Sequence, residues 1–80
     1  MYTQTIKVSS VVDNGTIVTV FGEDVNTSQK VAIHFDHRPF TNIYEHRLEL
    51  DKSFTWEEQI IVYHSLEDGT SHIEFPNDEE

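Results

Sequence analysis

The chain has 80 residues, with fifteen Asp or Glu against five Lys or Arg, a formal net charge of −10 and no cysteine. A chain of this length makes one domain with a single modest core, burying somewhat over about 60% of the surface its unfolded form exposes, and without cysteine no disulfide or thiolate metal site reinforces it. The negative field repels phosphate backbones and attracts basic surfaces, so direct nucleic-acid binding is not expected.

In chain order, the stretch 5–22 holds two strand patterns around Asn14-Gly15. Both turn residues tolerate positive φ, as a two-residue type I′ turn requires, so Val12 is predicted to face Ile17. With uninterrupted pairing, Ile6, Val8, Val12, Ile17 and Phe21 share the core face, and Lys7, Ser9, Val11, Val18 and Val20 share the other. Left uncovered, Val11, Val18 and Val20 would make a seam for a homodimer. Residues 23–29 are polar and turn-rich. Residues 30–36 then alternate, with Val31, Ile33 and Phe35 on one face, as a third, half-buried strand that Pro39 stops.

From Phe40 the period changes. Phe40, Ile43, Tyr44 and Leu48 fall on one stripe of an amphipathic helix of about eight to eleven residues, which Asp36 could cap. Thr55-Trp56-Glu57-Glu58 fits a capping box, but the strand-like run that follows it, 59–63, and the loop Glu67-Asp68-Gly69-Thr70 favour a strand over 60–64. That strand pairs with a last one over 71–75, which Pro76 ends. The expected domain is therefore 1–76, with 77–80 as a disordered acidic tail.

The order is mainly β, β-β-β-α-β-β. It is similar to a five-stranded antiparallel barrel of the oligonucleotide/oligosaccharide-binding type, a Greek key with a helix between its third and fourth strands, or to another small barrel such as the SH3-like one. The resemblance is one of topology.

Charge is unevenly placed. All five basic residues, Lys7, Lys30, Arg38, Arg47 and Lys52, lie in the first 52 positions, beside seven acids. The last 28 residues carry Glu57, Glu58, Glu67, Asp68, Glu74, Asp78, Glu79 and Glu80 with no Lys or Arg. Glu57, Glu58, Glu67, Asp68 and Glu74 are the candidate partner contacts, and the last hairpin is expected to bring most of them to one end of the domain. Arg38, held extended before Pro39 and beside Phe40, is a sixth candidate, for an anion or a π-surface. Against it stands the simpler expectation that Arg38 pairs with a local carboxylate such as Asp36 while Phe40 is core.

For chemistry, His34-Phe35-Asp36-His37 is the densest set of metal-ligand types, with His46, His64 and His72 elsewhere. On a strand His34 and Asp36 share a face and His37 does not, so no metal site or other cofactor is expected. There is no nucleophile elbow or glycine-rich phosphate loop, and Glu57 and Glu58 on a strand face opposite ways, so no enzyme is expected. No stretch approaches the roughly 18 apolar residues of a membrane span, and Met1-Tyr2-Thr3-Gln4 does not open a secretory signal, so the expected location is cytoplasmic with no membrane contact. These features point to a small acidic interaction module that docks on a basic protein, as regulatory subunit, inhibitor or nucleic-acid mimic. The alternative is an OB-like domain that binds single-stranded nucleic acid, for which aromatic platforms exist but a basic groove does not.

Overall fold

The structure is a computed structural model that describes residues 2–58, 62–65 and 69–74. The first hairpin, β1 (Tyr2–Asp13) and β2 (Ile17–Asp24), turns one residue later than predicted. Asn14 Oδ1 accepts from the backbone N–H groups of Thr16 and Ile17 at 2.9 and 2.8 Å, and Gly15 takes φ +94°. The loop is thus Gly15-Thr16, and Asp13 faces Val18. A side-chain acceptor that satisfies two turn donors outweighs the dipeptide's own preference.

The larger departure lies at Ser9. Pairing runs Ser10 with Phe21 and then Val8 with Gly22, so Ser9 is an extra residue, a β-bulge. One added residue inverts the alternation along β1. Ile6 and Val8 are in the core as expected, but beyond the bulge it is Val11, half-buried, that turns inward, opposite Val20. On β2 the core residues are Val18 and Val20, at 2% and 0% exposure, while Ile17 and Phe21 are half-buried and Val12 is 55% exposed. The expected Val11, Val18 and Val20 dimer seam is therefore internal core, and the core places expected for Val12, Ile17 and Phe21 are corrected.

β3 (Lys30–Asp36) forms as read, with Val31, Ile33 and Phe35 buried. The capping-box segment is a strand, β4 (Ser53–Glu58), antiparallel to β1. β5 (Val62–Ser65) and β6 (Ser71–Glu74) pair as the expected hairpin, and β6 lies parallel to β3. Of the sequence-based expectations, Ile60, Glu67, Asp68, Phe75, Pro76 and the tail 77–80 lie outside the described residues.

The sheet therefore has six strands in the order β4-β1-β2-β3-β6-β5, one pair is parallel, and the sheet is not closed among the described residues. The mainly β class with one short helix holds, while the parallel β3–β6 pair and a sheet not closed among the described residues depart from the expected antiparallel barrel. β1, β3 and β6 share one direction; β2, β4 and β5 share the other. β6 therefore lies parallel to its neighbour β3, and β5 pairs with β6 on the side away from β3.

The helix occupies residues 37–47, within the predicted length, but its pitch changes. One α-helical turn, His37–Pro39, passes into a π-helical turn, Phe40–Tyr44, and ends in a 3-10 turn, Glu45–Arg47. The wider middle turn keeps Phe40 and Tyr44 over the core and swings Ile43 out to 45% exposure. Asp36 precedes the first turn in extended conformation, yet its side chain makes no capping bond.

Phe40 and Tyr44 pack with Phe35 and Phe54, ring centroids 5.0 to 6.5 Å apart, in tilted and edge-on arrangements. Trp56, fully buried, donates from Nε1 to Gln4 Oε1 at 3.1 Å, and Gln4 Nε2 donates to Asp24 Oδ2 at 2.8 Å. This relay ties β4, β1 and β2 together beneath the aromatic cluster.

The bond from Gln4 holds the Asp24 carboxyl below the usual carboxylate range against a partial desolvation, with help from the backbone N–H groups of Asn26 and Thr27. A folded pKa below the unfolded one gives stability that is present above the ordinary carboxylate pKa and is lost as pH falls through the folded value. Thermal melts between about pH 5 and pH 2.5 are thus expected to show Asp24→Asn losing less stability on acidification than the wild type. Parallel curves would show that Asp24 does not contribute to acid sensitivity.

Candidate functional site

Of the predicted acidic contacts, Glu57 and Glu74 stand on strands that are not neighbours in the sheet. Glu57 is exposed on β4, an edge strand, opposite Thr3. Glu74 is exposed at the end of β6, opposite Val62 and His34. Glu58 pairs with Tyr2. Glu67 and Asp68 lie outside the described residues.

One carboxylate not counted among the contacts in the sequence, Asp36, stands near Glu74. Asp13 ends β1 and Asp36 ends β3, both exposed, and their partners on β2, Val18 and Ile17, are adjacent. Adjacent strand residues face opposite ways, so Asp13 shares the face of the core residue Val18, while Asp36 shares the outer face with His34 and Glu74. Glu74 lies one strand over from Asp36, two positions down. Asp13 Oδ2 lies 3.3 Å from His37 Nε2. The signal that could have found Asp36 was present: β3 ends on Asp, and alternation puts it on the face of His34.

Arg38 is exposed in the first helical turn and not extended as expected, because Pro39, tolerated in a first turn where its missing N–H is not needed, continues the helix. Among the described residues it makes no ion pair with Asp36, so the simpler pairing expectation does not hold for that partner, whereas Phe40 is core. Arg47 lies over the Tyr44 ring, 5.5 Å from its centroid.

On the outer face, where the bulge interrupts β1, lies a cleft of about 540 Å³ lined by Lys7, Ser9, Ser10, Phe21, Lys30 and Thr70, with Glu23 and Asp51 beside them. The register places Lys7, Glu23 and Lys30 in one row across three strands. The loop after the helix returns to the bulge, where Asp51 N donates to Val8 O at 2.8 Å and Val8 N to Lys52 O at 3.1 Å. Two of the five cations thus meet at one cleft, flanked by two acids, which makes it polar rather than basic.

Further along that face, Thr19 Oγ1 lies 3.0 Å from His34 Nδ1, and His34 Nε2 lies 2.9 Å from His72 Nδ1. All three side chains are half-buried. His34 and His72 are 38 positions apart, and only the parallel β3–β6 pairing joins them. Among the described residues, no group of three or more His, Asp or Glu assembles as a metal site, and no helix is long and apolar enough to cross a membrane. Comparison with known proteins adds no relative: no family model matches the chain, and no match emerges among curated proteins or solved structures.

Proposed function

We propose that this domain is a non-enzymatic interaction module that docks on a basic protein surface, as a regulatory subunit or an inhibitor, with carboxylates standing where phosphates of a nucleic acid would stand. The observation that supports the reading is the pair Asp36 and Glu74, at the ends of the neighbouring strands β3 and β6 and on one face of the sheet. They belong to a chain of net charge −10 whose last three acids, Asp78, Glu79 and Glu80, follow Glu74 closely in sequence. Carboxylates on strand ends are held by the sheet, so a partner meets them at fixed spacing and pays little ordering cost.

The test is a partner captured from the native host, titrated with wild type and with a combined Asp36→Lys and Glu74→Lys variant. The variant is expected to lose binding by 100-fold or more, on the order of 1.4 kcal/mol per tenfold step. Its melting temperature should stay close to wild type, since exposed charge changes usually alter stability by no more than about 0.5 kcal/mol each. Raising salt past a Debye length of about 8 Å is expected to slow association more than it speeds dissociation. Full affinity in the reversed variant would sink the docking reading.

A second reading rests on a different observation, the outer cleft, where Lys7, Lys30 and the half-buried Phe21 supply cations and a ring on the face of β2 and β3. That combination suits single-stranded nucleic acid. Filter binding of a single-stranded oligonucleotide at low salt, tight to micromolar in wild type and lost in Lys7→Ala with Lys30→Ala, would put this reading first.

A further inference from the structure

The outer face also brings two histidines together. His34 Nε2 and His72 Nδ1 point at one another across 2.9 Å, with ring planes 9° apart and centroids separated by 5.1 Å. The register fixes the approach: His72 lies opposite Ala32 and Glu74 opposite His34, so the two histidines are diagonal neighbours on parallel strands. His64 occupies the β5 position opposite His72.

Two imidazole nitrogens bound tetrahedrally to one cation, each about 2.0–2.1 Å from it, stand roughly 3.3 Å apart. The observed pair is a few tenths of an ångström short of that and shares one proton in an N–H···N hydrogen bond, so metal binding releases that proton to solvent and turns both lone pairs toward the ion. The Thr19 hydroxyl beside His34 Nδ1 supplies an orienting partner for the other nitrogen. When it accepts the Nδ1 proton, Nε2 presents a bare lone pair toward His72, the arrangement in which metal-ligating histidines are commonly held. The negative field of the chain, with Glu74 opposite His34, favours a cation there.

We propose that His34 and His72 form a two-nitrogen site for a divalent transition metal of the class that imidazole prefers, Zn²⁺, Cu²⁺ or Ni²⁺. Water completes the coordination. The bound ion clamps β6 to β3, the one parallel junction of the sheet, and binding to the folded state alone raises stability with metal concentration. With two protein ligands the affinity is far below that of a four-ligand structural site.

Zn²⁺ alone, added to metal-free full-length protein, is the probe, with histidine ring NMR signals and melting temperature as readouts. The ring signals of His34 and His72 are expected to move together and saturate, and the melting temperature to rise with Zn²⁺ but not with Mg²⁺. His34→Ala and His72→Ala should each weaken binding at least about tenfold, the lower end of what loss of even an outer-shell partner costs. His46→Ala, on the exposed side of the last helical turn, should leave binding unchanged. Zn²⁺ that fails to move both rings in the wild type overturns the proposal, whether or not the variants fold. So does unchanged affinity in the double variant.

Discussion

Replacing Trp56 with Ala is expected to abolish cooperative folding at room temperature. Trp56 is among the largest fully buried side chains described, and it sits on an edge strand that β1 alone holds in the sheet. Truncating a buried aromatic to Ala costs about 3–5 kcal/mol. The change also strips Gln4 Oε1 of its donor at a residue only 7% exposed, and an orphaned buried acceptor costs a further ~1–3 kcal/mol. Small domains sit toward the low end of a total stability of about 5–15 kcal/mol, so the sum removes most or all of it. Trp56→Phe separates the two contributions, since it keeps most of the apolar volume and loses the Nε1 donor; it should fold with a reduced urea midpoint. Urea titration followed by circular dichroism reads both, and an Ala variant with a midpoint near wild type would mean that β4 is not needed for the fold.

Gly22→Ala is expected to destabilise the β1–β2 hairpin strongly although it adds one carbon. An added Cβ would stand 2.5 Å from Lys7 O and 2.9 Å from Ile6 Cδ1. The first of these is backbone within a ladder and cannot swing away as a side-chain tip can. Overpacking a core typically costs ~1–3 kcal/mol, and a contact that displaces paired backbone lies at or above the top of that range. Gly22 faces Val8, next to the bulge at Ser9, where the bulged strand bends toward its partner. Hydrogen exchange should show the largest loss of protection at residues 6–8 and 20–24, and Gly15→Ala, whose added Cβ meets nothing within 4 Å, serves as the contrast for a site where only positive φ is at stake. Equal effects at the two glycines would mean that close approach is not what fixes Gly22.

The sequence by itself determined the elements that local pattern encodes. Strand alternation in residues 30–36, the i, i+4 aromatics Phe40 and Tyr44 and the pairing of the strands on either side of Gly69 are each fixed by a few neighbouring residues, and the structure bears them out; Pro39 is not the stop, since the strand ends at Asp36 and Pro39 lies in the helical turn that follows. Net charge and its carboxy-terminal bias are likewise properties of the chain alone.

Tertiary structure decided whatever depends on how distant segments meet. Whether Val20 or Phe21 faces the core rests on one unpaired residue, Ser9, and a bulge leaves no mark in the alternation of β2, only in its partner. The strand at Trp56 was hidden by a helix-start pattern in 55–58, because what makes it a strand is the free edge of β1 and the pocket that takes the indole. The Asp36–Glu74 pair and the His34–His72 contact bring together residues far apart in sequence. Period and propensity act over a turn or two of chain, whereas strand direction, register and strand order are settled only when the sheet assembles, and it is these that set which side chains share a surface.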